Sequence, residues 1–192
     1  MKNLLLTVIL YAFIQSDLNA QYAIKNLDGY TPQLGALVSM MDDLKARVTS
    51  RVKNLDQDGT DFLLDEDANR IGALILHLAA TEFVWQEMTF YDKEYDEIDD
   101  ESWLMPMNLG DKAREELVGK PISFYLDKWT EVRAKSKEVL KTKNDEWLLQ
   151  LREDPDNPDT EYNYYWAWYH VMEHQANHMG QIALIMKRIG DD

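Results

Sequence analysis

Three of the four histidines in the chain fall four residues apart near the C-terminus, at His170, His174 and His178. A step of four residues places side chains on one face of a helix, so their imidazole nitrogens can converge on a single metal ion. The fourth histidine, His77, lies in another long apolar segment. Because the chain keeps all its histidines for two segments, we expect a metal site built from two helices.

A helical wheel separates the three C-terminal histidines by depth. At about 100° per residue, His178 lies nearest to the apolar arc that contains Val171 and Ile182, and His170 lies farthest from it. His170 and His178 are also separated by about 12 Å along the helix axis, which is too far for comfortable shared ligation. We therefore predict His174 and His178 as the ligand pair of this helix.

The same region supports an alternative interpretation, because His170 and Glu173 begin the H-x-x-E-H pattern of inverted zinc peptidases. In that pattern His170 and His174 would bind zinc, and Glu173 would act as the general base. Those enzymes are much larger chains with a further acidic ligand well downstream, whereas the acids that follow here are Asp191 and Asp192. Glu173 also falls away from the buried stripe on the wheel, so we favour the deeper histidine pair.

The first 20 residues have the composition of a secretion signal. Lys2 supplies the positive charge, Leu4 to Ile14 form a short apolar region, and Leu18-Asn19-Ala20 offers a cleavage site. We therefore predict export to the periplasm or the medium, with one mature domain over residues 21–192. A retained anchor is the alternative, and no stable membrane association is expected after cleavage.

The charge balance and the absence of one residue type exclude several kinds of function. The chain carries 20 Lys and Arg against 35 Asp and Glu, a net charge of −15. Such a surface repels phosphates and anionic lipid heads, so nucleic acid and membrane surfaces are not expected partners. The chain contains no cysteine, which rules out disulfides, a thiol nucleophile and a thiolate metal site.

Four long segments show the apolar period of amphipathic helices, and no stretch alternates convincingly as a strand. We predict helices from Thr31-Pro32 through Val52, from Asp65 to Tyr91, from Pro121 through Val139, and from Glu161 to Ile189. The connection at residues 92–120 is unusually long and opens with seven acidic residues among ten. Connections of this length are often functional or mobile, so this one is a candidate gate. The predicted fold class is all-α.

The most specific motif in the chain is a His-x-x-x-His pair followed by Gly-Gln, formed by His174, His178, Gly180 and Gln181. A second part is the single histidine of the second helix, in the run Leu76-His77-Leu78 followed by Glu82 and Trp85. Together they resemble the DinB/YfiT-like family of metalloenzymes, over nearly all of the mature chain. The resemblance implies a four-helix bundle with a long connection between helices 2 and 3. It also implies a metal triad of His77, His174 and His178.

Residues near the predicted ligands have supporting roles in this scheme. His170 and Gln181 share the ligand face, so we expect them to hold a ligand in place or to line a pocket, with a structural role as the alternative. The aromatic run from Tyr162 to Tyr169 is expected mainly to pack the core and its rim, with part of it lining a pocket. Glu82 does not share the face of His77, so we expect it to support the bundle.

Three neutral imidazoles leave a divalent ion with open coordination positions, as in catalytic sites. Zinc is the default ion, and nickel or iron suits imidazole ligands as well. We therefore predict an exported metal-dependent enzyme, a hydrolase or a transferase, that acts on a small molecule. Characterised relatives include transferases and isomerases that use low-molecular-weight thiols, which are chiefly cytosolic.

Two other classes of protein fit the same residues. One is a bundle that binds a metal or a ligand without turnover, and the other is a structural bundle whose histidines complete a polar network. The helix patterns are compatible with a homodimer but single out no extra apolar face for it.

Overall fold

Helices make up most of the chain, as the apolar periods predict. The computed structural model describes residues 23–154 and 157–189, so the predicted signal peptide lies outside the described residues. In chain order the elements are α1 (Pro32–Val52), α2 (Gln57–Asp61), α3 (Ile71–Phe90), a 3-10 helix (Tyr95–Glu97), α4 (Glu101–Asn108), α5 (Gly110–Glu116), α6 (Ile122–Leu140), α7 (Asp145–Leu148), β1 (Leu151–Asp154), β2 (Asn157–Asn163) and α8 (Tyr164–Met186).

The four long helices form a bundle in which α3 packs against α6 and α8, and α1 packs against the same two helices. Helix α4 covers a further side of α3, which explains why α3 is apolar nearly all round. Gly72 lets α3 and α6 approach closely, because a Cβ at this position would lie 2.5 Å from Cε2 of Tyr125. The predicted all-α bundle is therefore confirmed as the main architecture.

Helix α1 begins where Thr31-Pro32 predicts, but the cap at its N-terminus comes from another part of the chain. The Asp145 carboxylate accepts hydrogen bonds from the backbone N–H groups of Gln33 and Leu34 and from the Thr31 hydroxyl. Pro32 stands at the first turn, where its missing N–H costs nothing. An acid at the first turn also stabilises the helix dipole, so α7 fastens the start of α1.

Two helices begin later than the sequence predicts. The sequence predicts a second helix from Asp65, but α3 begins at Ile71. The Asp65 carboxylate accepts from the N–H of Asp67, a local bond that competes with helix formation. The sequence predicts a fourth helix from Glu161, but α8 begins at Tyr164. Asn163 caps this helix, because its side chain accepts a hydrogen bond from Trp166 N at 2.8 Å.

The residues just before α8 form a strand, so the expectation of no strand is wrong at this point. Strands β1 and β2 pair antiparallel, with Leu151 opposite Asn163 and Glu153 opposite Glu161. Most of the hairpin is polar and exposed, so it never buries an alternating apolar face. The strand signal that a half-buried sheet would give is therefore missing from the sequence.

The connection between α3 and α6 is long, as predicted, but much of it is helical. It contains the 3-10 helix, α4 and α5, and α4 lies on α3. Pro106 falls inside α4, near its C-terminal end. Among the described residues, no helix combines the length and the apolar character needed to cross a membrane.

Candidate metal centre

Helices α3 and α8 bring three of the four histidines together. His77 lies in the middle of α3, and His174 and His178 lie on successive turns of α8. One ring nitrogen from each lies within 4.8 Å of the other two, and we call these three residues the histidine cluster. His77 and His178 are only 7% and 8% exposed, whereas His170 is half-buried at the periphery. This order of depth along α8 agrees with the helical wheel.

The inner nitrogens of the histidine cluster face one another. His77 Nε2 lies 2.7 Å from His174 Nε2, and His178 Nε2 lies 3.1 Å from the same atom. These distances are those of hydrogen bonds, although all three atoms belong to imidazole rings. The proton positions therefore decide whether the cluster is satisfied by itself.

The outer nitrogens of two rings fix those proton positions. His77 Nδ1 donates to the Pro106 carbonyl at 3.0 Å, and His178 Nδ1 donates to Gln181 Oε1 at 2.9 Å. A neutral imidazole with its proton on Nδ1 presents a lone pair at Nε2. His77 and His178 thus both direct acceptors at His174, whose Nε2 carries at most one proton. At least two of the three Nε2 atoms therefore face each other as lone pairs, with no proton between them. A cation at the centre would satisfy all three nitrogens.

The environment keeps the histidine cluster neutral. Burial lowers the pKa of His77 to about 4, and the repulsion between protonated forms of His77 and His178 adds to the effect. Burial also lowers the pKa of His174 to about 3, and the other histidines add to the effect. Burial lowers the pKa of His178 as well, and the hydrogen bond that His178 donates to Gln181 opposes this shift. Neutral imidazole is the form that binds metals, so the donor set fits a divalent ion at pH 7.

His170 stands outside the histidine cluster. Its ring stacks on Trp166 at 5.3 Å between centroids, and its centroid lies 5.6 Å from that of His174. Its Nδ1 lies 3.7 Å from the carboxylate of Glu173, which is exposed. The structure therefore places Glu173 away from the converging nitrogens, which does not favour the H-x-x-E-H interpretation.

A cavity of about 1040 Å³ opens on the side of His170. Helices α3 and α8 contribute one wall, and the opposite walls come from the connection after α3 and from the β-hairpin. We call it the aromatic–acidic cavity, because its lining includes Trp85, Tyr95, Asp96, Glu161, Tyr162, Trp166 and His170. Sequence reasoning anticipated that some of the aromatic run would line a pocket, but it missed the walls formed by the connection and the hairpin.

A second buried polar group lies on the same two helices. Glu82 of α3 is fully buried, and its carboxylate accepts from Arg133 Nε at 2.8 Å and Arg133 Nη2 at 2.9 Å. The same carboxylate also accepts from Trp129, Ser136 and Gln175. We call these five residues the Glu82 cluster. Its position between α3, α6 and α8 agrees with the expectation that Glu82 supports the bundle, whereas its partner Arg133 was not anticipated.

Comparison with known proteins identifies a family that the chain matches. A family model described as mycothiol-S-transferase matches residues 36–190, which include the whole of α3, α6 and α8. That family belongs to the DinB/YfiT-like superfamily of metalloenzymes, as the motifs around the histidines predict. No curated protein matches the chain.

Proposed function

The chain belongs to the mycothiol-S-transferase family, and from this premise we propose that it is a metal-dependent transferase of a low-molecular-weight thiol. The observation that carries the proposal is the histidine cluster, in which three neutral imidazoles converge without enough protons to satisfy one another. Three ligands leave a divalent ion with open positions for a substrate. Zinc is the default, since imidazole ligands alone do not choose among zinc, nickel and iron.

A divalent ion held by His77, His174 and His178 would lower the pKa of a bound thiol and so supply a thiolate nucleophile at neutral pH. The residues of the chain prepare for this role. The Pro106 carbonyl and the Gln181 side chain hold two rings in the tautomer that aims Nε2 inward. In the transfer itself, the sulfur forms a bond to an electrophilic carbon and the leaving group departs with its electron pair. The thiol proton passes to solvent.

The aromatic–acidic cavity is the place where the acceptor would bind. It reaches His170, whose ring contacts that of His174, so the His170 ring would separate a molecule in the cavity from the histidine cluster. A volume of about 1040 Å³ accommodates a small molecule. The small-molecule substrate expected from the sequence therefore has room next to the proposed centre.

Elemental analysis of protein purified without a histidine tag tests the centre. We expect about one divalent ion per chain in the wild type and none in His77→Ala or His174→Ala. His170→Ala is the matched control, because it removes a histidine one turn from His174 that is not a member of the histidine cluster. Equal metal content in all four proteins, or none after reconstitution with zinc, would refute the proposal.

Turnover distinguishes a transferase from the other functions that fit this site. We expect mycothiol and monochlorobimane to give a thioether in a reaction that needs metal and is lost in His174→Ala. Release of nitrophenol from p-nitrophenyl acetate without any thiol would instead indicate a hydrolase. Stoichiometric metal with neither reaction would favour a bundle that binds a metal or a ligand without turnover.

The peptidase-like alternative has its own test. Glu173→Gln removes the proposed general base of that motif while leaving His170, His174 and His178 in place. We expect unchanged metal content and unchanged thiol transfer, because Glu173 is exposed and its nearest ionic partner is His170. Loss of activity with metal retained would revive the H-x-x-E-H interpretation.

We also propose that the chain is exported, with residues 1–20 as the signal peptide. Its support is the charged start, the short apolar region and the cleavage site at Ala20. N-terminal sequencing of the protein recovered from a cell fractionation tests this, and a mature start near Gln21 outside the cytoplasm is expected. A chain that retains residues 1–20 in the cytoplasm would contradict export and would place it among the cytosolic thiols.

A further inference from the structure

The aromatic–acidic cavity presents a wall of rings to any ligand that enters it. Neighbouring centroids in this wall lie between 5.3 and 6.1 Å apart, in a group formed by Trp85, Tyr162, Trp166 and His170. Trp166 remains 49% exposed and Tyr95 39% exposed. Large aromatic faces left in contact with water inside a concave site are surfaces that a ligand can cover.

The lining of the same cavity is rich in acidic residues. Its lining includes four carboxylates, Glu94, Asp96, Asp154 and Glu161, and none of the described lysines and arginines lines it. Glu94 is neutralised by Arg152, whose Nη2 lies 2.6 Å away. Within the described residues, however, neither Asp96 nor Glu161 forms an ion pair. Two negative charges thus remain uncompensated at the rim.

The β-hairpin gives an independent indication that a positive charge is missing. Glu161 lies directly opposite Glu153 in the antiparallel register. Like charges in facing positions destabilise a hairpin, and both residues are exposed. A cation bound beside Glu161 would relieve this repulsion. The arrangement therefore favours a positively charged occupant over a neutral or an anionic one.

We propose that the aromatic–acidic cavity binds the cationic, amine-bearing part of the small-molecule substrate. The ammonium group would lie against the faces of Trp166 and its neighbours, where a ring quadrupole attracts a cation, with Asp96 and Glu161 adding charge. This inference deepens the proposed function, on which it rests for the reaction, because the cavity reaches His170, whose ring contacts that of His174. Binding of the cation itself requires no metal.

Choline and 3,3-dimethylbutan-1-ol form a matched pair of probes, because they differ in the replacement of the quaternary nitrogen by carbon. Titration followed by NMR, observing the indole N–H signals of Trp85 and Trp166, gives both the affinity and the location. We expect choline to bind roughly tenfold more tightly than the neutral analogue. Equal affinities, or shifts confined to other tryptophans, would overturn the proposal.

Three variants and one control test the residues that carry the inference. Asp96→Asn and Glu161→Gln should each weaken choline binding roughly threefold, as expected for an exposed charge, and Trp166→Leu should weaken it by roughly threefold or more. Glu115→Gln, which removes an exposed acid from α5 away from the cavity lining, should bind as the wild type does. Asp96→Asn and Glu161→Gln change exposed side chains, so we expect both variants to fold. Wild-type choline affinity in both variants would refute the assignment of a cation site to this cavity.

The same titration on His77→Ala separates this inference from the proposed function. We expect choline to bind this variant as well, although it lacks a ligand of the proposed centre. Choline binding in a wild type that holds no metal would leave the cavity as a cation site and refute the metal centre alone. Stoichiometric metal in a wild type that ignores choline would refute the cation site alone.

Discussion

Helices α3 and α8 each contribute to two buried polar clusters with opposite characters. In the Glu82 cluster both carboxylate oxygens accept from charged or neutral donors, and Arg133 pairs with Asp42 as well. In the histidine cluster three ring nitrogens face one another with too few protons. A buried group that finds all its partners within the chain strengthens the fold, whereas converging acceptors without donors require something from outside. By this criterion the Glu82 cluster has the character of a structural network, and the histidine cluster has that of a binding site.

The largest effect on this comparison is expected from Glu82→Ala. The substitution leaves the Arg133 guanidinium buried, with only the 3.3 Å contact to Asp42 as an ion pair. Removing one partner of a buried ion pair costs about 3–5 kcal/mol of unfolding free energy. Urea denaturation at about pH 7 measures it, with the exposed Glu115→Ala as the control. A loss below about 1 kcal/mol would mean that the Glu82 cluster is not the structural one.

Gln181→Ala tests the support of the histidine cluster. The variant removes the oxygen that accepts from His178 Nδ1 at 2.9 Å, so the ring loses its fixed tautomer. Loss of such a supporting partner lowers metal affinity by about 10- to 100-fold. Competition with a zinc chelator measures the affinity. An unchanged affinity would indicate that Gln181 only packs the helix, and the urea midpoint of the metal-free variant checks that the fold is intact.

The histidine cluster should also make the stability of the protein depend on pH. The pKa values of His77 and His174 fall from 6.5 to about 4 and about 3 in the fold, so protons bind the unfolded chain more tightly. Their contribution to stability is therefore present above pH 6.5. It is lost as the pH falls from 6.5 through about 4 for His77 and about 3 for His174. Urea midpoints of the metal-free protein at about pH 7 and about pH 4.5 measure the loss. The double variant His77→Asn/His174→Asn should lose less, and an equal loss would assign the effect to carboxylates.

The smallest effect is expected from His174→Ala in the metal-free protein. His174 is half-buried, and its inner nitrogen faces two other acceptors, so its removal breaks few favourable contacts. We expect a change in unfolding free energy of less than about 1 kcal/mol, in contrast to Glu82→Ala. The same urea denaturation measures it. A loss of several kcal/mol would show that the histidines form a structural network.

The bundle and its histidine cluster are readable from the sequence for a simple reason. Both depend on helical periodicity: the apolar stripes set the helices, and the four-residue step from His174 to His178 sets one side of the cluster. That α3 meets α8 at His77 came from the resemblance to a family, since no local pattern reports which helices are neighbours.

The rest of the site depends on contacts between distant parts of the chain. The Pro106 carbonyl reaches His77 from α4, and Arg133 reaches Glu82 from α6. The walls of the aromatic–acidic cavity come from a 3-10 helix and a polar hairpin, which have no apolar period to reveal them. Sequence reasoning predicted the converging groups and the position of Gln181 beside them, but not the Pro106 carbonyl or the cavity.

The hydrogen bond from His77 to the Pro106 carbonyl joins the histidine cluster to the segment between α3 and α6. That segment also supplies Tyr95 and Asp96 to the aromatic–acidic cavity. A shift of the segment therefore alters the aim of His77 and the shape of the cavity together. Thermodynamic linkage makes such coupling reciprocal: the factor by which a bound ion changes affinity for the ligand equals the factor by which the ligand changes affinity for the ion. Selection of the metal and selection of the substrate would then evolve as one trait.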